Sequence, residues 1–210
     1  TKESRRLLPT IFATRLVGEA GSDPNSLFHE FRDCDVSLGL SELSGHAVDT
    51  AGSFNSKEFF GATESDGFAG GVVENEADGN TSGLIEQRPH NLVHLFVGNV
   101  SAPAGSQGMA SVPEAAFDPA FWVHHTNIDR LWVEFVGMDG KSWGALPSAA
   151  WFEKRPWAFY DYDKQVKTES RAYWMDHRQL QYAYLGEPTP KLTWPPATVS
   201  TAVTTSPFAF

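Results

Sequence analysis

Four of the seven histidines fall in two short runs: His90 and His94 in RPHNLVH, and His124 and His125 in DPAFWVHHTNIDRLW. Positions i and i+4 share one face of a helix, so His90 and His94 can present two imidazoles side by side. A third imidazole from the second run completes a three-nitrogen site with open coordination positions. Neutral imidazole suits borderline metals, and the residues by themselves leave copper and zinc both open. A lone His-x3-His pair is common and carries little weight. The second run strengthens the case, because both runs are apolar around their histidines and an uncompensated imidazole is costly there. A zinc hydrolase is the weaker metal reading, since no HExxH-like acid accompanies the pair.

The elements that must position these residues read as helices. Residues 89–98 open with Pro89 in a favourable first-turn position and stop at Gly98. Residues 99–113 form a loop containing Gly105 and Gly108. Residues 118–137 are the main helix, with Asp118 as N-cap and Pro119 at the first helical position. Phe121, His125, Ile128, Leu131, Trp132 and Phe135 recur at helical spacing and form its inward face. Upstream, residues 1–20 suggest an extended or short helical segment ending near Gly18. Residues 21–50 are turn-rich, with Ser41 placed to cap a short helix. Residues 50–83 are mainly loop, with one short amphipathic helix around Ser56–Gly61. Beyond residue 140, Gly and Pro punctuate strand-like runs such as AWFEKRPWAFYD, and the tail ATVSTAVTTSPFAF has no helical period.

The stretch from Asp118 to Asp129 resembles the copper-B signature of the tyrosinase, catechol oxidase and mollusc haemocyanin superfamily, the type-3 copper proteins. That signature reads Asp-Pro-x-Phe-apolar-x-x-His-x-x-x-Asp, and Arg130 and Trp132 extend the likeness. PHNLVH resembles the first copper-B helix at the right distance upstream. The resemblance is strong from about Leu84 to Trp132 and weaker at the Tyr182-Ala183-Tyr184 pair. It implies a mainly α fold, part of a helical-bundle type-3 copper domain with long loops and a few short strands. Residues 1–196 would be the C-terminal part of the catalytic domain, its copper-B half, and 197–210 a linker-like tail.

The same resemblance implies copper as cofactor, two ions in the complete enzyme, with copper B held by His90, His94 and His125 rather than by His124. The implied activity is oxidation of phenols by dioxygen: o-diphenols to o-quinones, and monophenols to o-diphenols in the hydroxylating members. Asn91 and Glu86 match the pair that holds a water able to deprotonate an incoming phenol, whose pKa lies near 10. Val112 matches the residue standing over copper B, where a small side chain leaves room for substrate. Asp129 is expected to support the tautomer of a ligand imidazole, or else to pair with Arg130 on the helix surface.

One departure stands out. The copper-A site needs three further histidines and a Phe-x-x-(Phe/Trp)-His-Arg run, and upstream there are only His29 and His46, in other contexts. The resemblance therefore implies a partner, an N-terminal copper-A segment or separate chain. Two other readings remain open: a non-catalytic or single-copper relic, and a haemocyanin-like oxygen carrier. Val112, Glu86 and Asn91 argue against the carrier.

Composition bounds the rest. A net charge of −10 disfavours nucleic acid and anionic membranes as partners. No apolar run is long enough to span a bilayer. At 41% apolar, the chain is globular rather than disordered. The seven Trp and fifteen Phe are read mainly as core. Cys34, the single cysteine, allows no disulfide within the chain and reads as a small buried residue or an ordinary thiol.

Overall fold

A computed structural model describes residues 12, 14–18, 21, 23–32, 48–63, 65–74, 82–161 and 163–192. The helix capped by Ser41, His46, Cys34 and the tail 197–210 lie outside the described residues. Strands β1 (Leu16–Val17) and β2 (Asp23–Pro24) pair antiparallel. Helix α1 (Ala51–Asn55) runs into β3 (Glu58–Phe60). A kinked π-type turn, Glu86–Asn91, leads into α2 (Leu92–Val97). A 3-10 turn (Gly108–Ala110) and α3 (Val112–Ala115) precede the long α4 (Pro119–Gly137). Then come β4 (Ser142–Gly144), α5 (Ala149–Glu153), the antiparallel pair β5 (Phe159–Tyr160) and β6 (Val166–Lys167), and α6 (Arg171–Trp174). The described fold is mainly α with short two-stranded ribbons.

The core lies under the C-terminal half of α4. Leu131, Phe135 and Val136 pack with Phe59 and Phe60 of β3, with Phe68 and with Ile85. Phe68 and Phe135 stack with ring centroids 4.2 Å apart. Phe59 meets Trp132 and Trp143 edge-on at 5.0 and 5.1 Å. Aromatic rings carry a large apolar area, and their edge-to-face contacts add about 0.5–1.5 kcal/mol each beyond burial. β3 pairs parallel with β4, Glu58 opposite Ser142 and Phe60 opposite Gly144, which fastens the segment after α4 back onto the core.

Helix α4 starts as its residues predict. The Asp118 carboxylate accepts from the Ala120 N–H at 2.8 Å, and Pro119 takes the first helical position. Asp118 is fully buried, and its charge is met by Arg32, whose Nε and Nη2 reach Oδ2 and Oδ1 at 2.9 and 2.5 Å. Arg32 also donates to the Phe12 and Leu27 carbonyls. A bidentate guanidinium of this kind is the arrangement in which a buried carboxylate is tolerated.

Three expectations are corrected. The amphipathic helix expected around Ser56–Gly61 is strand β3, with a helix just before it at Ala51–Asn55. Phe59 and Phe60 are both buried there, so tertiary pairing with β4 overrides a weak local pattern. The loop expected over 99–113 contains a 3-10 turn and the start of α3. Of the strand-like run from Ala150 to Asp161, residues up to Glu153 finish α5, which Ser148 caps by accepting from the Trp151 N–H at 3.2 Å, and Phe159–Tyr160 form strand β5 as expected. Among the described residues, no helix is long and apolar enough to cross a membrane.

Candidate metal centre

The two histidine runs meet. His90 sits at the end of the kinked turn, His94 on α2 and His125 on α4. The His125 Nε2 lies 3.3 Å from that of His90 and 3.1 Å from that of His94. Nitrogens bound to one small cation at about 2.0–2.1 Å stand roughly 3–4 Å apart, and both His125 distances fall in that range. His124 also belongs to the cluster: a set of His90, His94 and His124 places one nitrogen from each within 4.8 Å of the others. The two sets share His90 and His94 and differ in which of the adjacent histidines supplies the third nitrogen.

The ring nitrogens facing away from the cluster are held. His90 Nδ1 lies 2.9 Å from Asn91 Oδ1, and His94 Nδ1 lies 2.8 Å from the Met109 carbonyl. Both partners accept, so each imidazole carries its proton on Nδ1 and turns a bare Nε2 inward. The Met109 carbonyl reaches His94 because α2 ends at Gly98: a Cβ there would lie 2.0 Å from the Ala110 nitrogen. Glu114 fixes the approaching loop by accepting from the Gly105 and Gln107 N–H groups at 2.8 and 2.9 Å. Phe121 lies against His125 with centroids 4.1 Å apart.

Electrostatics keeps the cluster neutral. Burial, then repulsion between imidazolium charges, pushes His124 down to about 3 and His125 to about 4. Burial also lowers His90 and His94. At neutral pH the four rings are uncharged, and the Nε2 lone pairs of His90 and His94 are free of proton competition. With three convergent imidazoles and hydrogen-bonded outer nitrogens, the donor set fits copper.

The other expected residues divide. Asn91 is at the centre, but its Oδ1 is engaged by His90. Glu86 opens the kinked turn, and burial raises its carboxyl above the ordinary range against a weaker opposing bond to Ser82. Val112 is 93% exposed at the start of α3. Asp129, expected beside a ligand imidazole or Arg130, makes neither contact: its Oδ2 accepts from the Tyr182 and Tyr184 hydroxyls, each at 2.6 Å. Arg130 instead bonds Asn127 and pairs with Glu134. His29 stands away from the cluster, with Nδ1 accepting from the Phe31 N–H at 3.4 Å and 3.9 Å from Asp118 Oδ2. The Met109 carbonyl and Phe121 were not anticipated at the site. A backbone acceptor leaves no mark in a sequence, whereas Phe121, one turn before His125, was legible in the helical spacing.

Comparison with known proteins agrees with this geometry. Residues 42–137 match the common central domain of tyrosinase. A chloroplastic polyphenol oxidase of Vitis vinifera is 33% identical over 125 residues, covering 60% of this chain and 20% of that protein. Tyrosinase HcTyr1 of a Hahella strain is 34% identical over 100 residues, covering 48% of this chain and 20% of that protein. The alignments thus span about a fifth of these relatives' length. The crystal structure of Grenache (Vitis vinifera) polyphenol oxidase superposes with a TM-score of 0.63 at 24% identity, over 87% of this chain and 55% of that one. The described fold is therefore that of a polyphenol oxidase in part. The matched segment holds all four clustered histidines, so the part of the chain that builds the site is the part similar to the tyrosinase central domain.

Proposed function

We propose that this chain provides one copper site of a two-copper phenol oxidase, with His90, His94 and His125 as its ligands. The observation that carries this reading is the approach of His125 Nε2 to within 3.3 and 3.1 Å of the Nε2 atoms of His90 and His94. Copper, when bound, supplies dioxygen binding and electron transfer, which no side chain here can provide. The chain's own residues do the rest. Asn91 and the Met109 carbonyl hold the His90 and His94 rings in the tautomer that leaves Nε2 bare. Glu86, with its carboxyl raised by burial, is suited to accept a phenol proton near neutral pH, directly or through a water shared with Asn91. Val112, exposed on the surface, leaves space for an aromatic substrate.

The substrates are o-diphenols, oxidised to o-quinones, and monophenols as a further class. Relatives include a protein named aureusidin synthase from Antirrhinum majus, 29% identical over 119 residues, so substrate range varies within the family. The partner is a segment carrying the second imidazole triad. Its seat is the exposed apolar surface beside the cluster. Phe117, Trp122 and Val123 are 78, 62 and 60% exposed, and the Trp122 indole N–H reaches back to the Ala116 carbonyl at 3.2 Å. Large exposed apolar side chains grouped beside a site mark an interaction surface.

Copper titration followed by oxygen-electrode assay with 4-methylcatechol tests this. One copper per chain, and oxygen uptake once two coppers are present in the complete protein, is the expected outcome. A two-copper preparation that consumes no oxygen with this diphenol would refute the oxidase reading.

A further inference from the structure

His124 is the one member of the imidazole cluster that the ligand set leaves without a task. It is 9% exposed, and its Nε2 lies 3.1 Å from the His90 carbonyl. A carbonyl only accepts, so Nε2 carries the proton and donates. The ring lies parallel to His90 at 5.4 Å and edge-on to His94 at 5.2 Å and to His125 at 5.6 Å. The carbonyl it holds belongs to the kinked turn Glu86–Asn91. There Arg88 leaves helical space at φ −147°, ψ 128°, as the residue before a proline tends to. A helical ladder interrupted in this way does not by itself fix the orientation of the residue two places on. His90 therefore follows the irregular point of this turn by two residues.

We propose that His124 is a positioning residue for the metal centre. Its N–H fastens the backbone of His90 to α4, and so sets the distance between the His90 imidazole and that of the neighbouring His125. The adjacent histidines divide the work: His125 points Nε2 into the cluster, and His124 ties the two ligand-bearing elements together. This rests on the copper reading above and assigns His124 no place among the ligands.

Three variants of the full chain test it, with Cu(II) alone as the probe. His124→Phe keeps the ring and removes the donor. His124→Gln offers an amide N–H at similar reach. His124→Asn, too short to reach the carbonyl, repeats the comparison should the phenylalanine variant fail to fold. Copper affinity is expected to fall about 10- to 100-fold in the Phe and Asn variants, the usual range for outer-sphere partners of a ligand histidine. The Gln variant is expected to recover most of it. At saturation the electron paramagnetic resonance spectra should show the wild-type number of coordinated nitrogens in every variant. Metal-free melting temperature should not track the affinity across the three, which separates positioning from general stabilisation. Equal affinity in wild type and the Phe variant would overturn the proposal. So would the loss of one coordinated nitrogen, which would make His124 a ligand. Wild-type protein that takes up no copper would instead overturn the copper reading itself.

Discussion

The two halves of α4 are built for different tasks. From Leu131 onward its buried residues close an aromatic core: Phe135 is completely enclosed and Val133 and Val136 nearly so. In the first half, Trp122, Val123, Thr126 and Asn127 are exposed on one face, while His124 and His125 turn inward to the imidazole cluster. One half stabilises the fold by excluding water. The other keeps four neutral imidazoles and an open apolar surface, neither of which favours an isolated domain. The first half is thus held in place by the second and by ties from outside the helix.

If that division is right, the largest loss of stability comes from the core half. Phe135→Ala should destabilise by about 3–5 kcal/mol, seen as a lower denaturant midpoint. A cost below about 1 kcal/mol would mean that the core is not centred there. His125→Ala should do the reverse, lowering copper affinity at least about 100-fold, beyond most outer-sphere effects, with little change in metal-free stability. Calorimetric titration beside thermal melts reads both. Gly98→Ala should lie between, because its Cβ would meet the Ala110 nitrogen and displace the Met109 carbonyl from His94. It should weaken both quantities together.

Acid should find the cluster before the core. His124 and His125 are held to about 3 and 4 in the fold, against about 6.5 in an unfolded chain. Between these limits the unfolded state binds more protons, so stability rises with pH and is lost as pH falls from about 6.5 toward 4. Melting of metal-free protein across that range should show the fall, and His125→Phe should flatten it. A melting temperature constant from pH 7 to 4 would contradict the cluster's neutrality. The smallest effect belongs to the exposed face: Trp122→Ala should change the stability of this chain by no more than about 0.5 kcal/mol. A larger cost would show that the face is already covered.

Legibility followed the range of the interactions. The start of α4 could be read from Asp118 and Pro119, because a cap and a first-turn proline act within three residues. The helical spacing of His90 and His94 was equally plain, and Gly98 marked the end of α2. The choice between His124 and His125 needed a family signature, since both lie in the same run. What the sequence hid is what depends on distant segments. Asp129 was expected at the metal, but Tyr182 and Tyr184 arrive from more than fifty residues away and take both contacts. Their phenols are raised by burial and by the Asp129 carboxylate, so they stay protonated donors. β3 was missed for the same reason, since its partner strand lies beyond α4.

The Arg32–Asp118 pair sets the size of the smallest piece that can fold. The match to the tyrosinase central domain begins at residue 42, yet the capping carboxylate of α4 is neutralised by an arginine ten residues before that boundary. A shortened version cut at the matched segment would leave the buried Asp118 charge without its guanidinium. Breaking such a pair costs about 3–5 kcal/mol, enough to unfold many domains. The border of the recognisable family segment and the border of the physical folding unit are different places, and Arg32 stands between them.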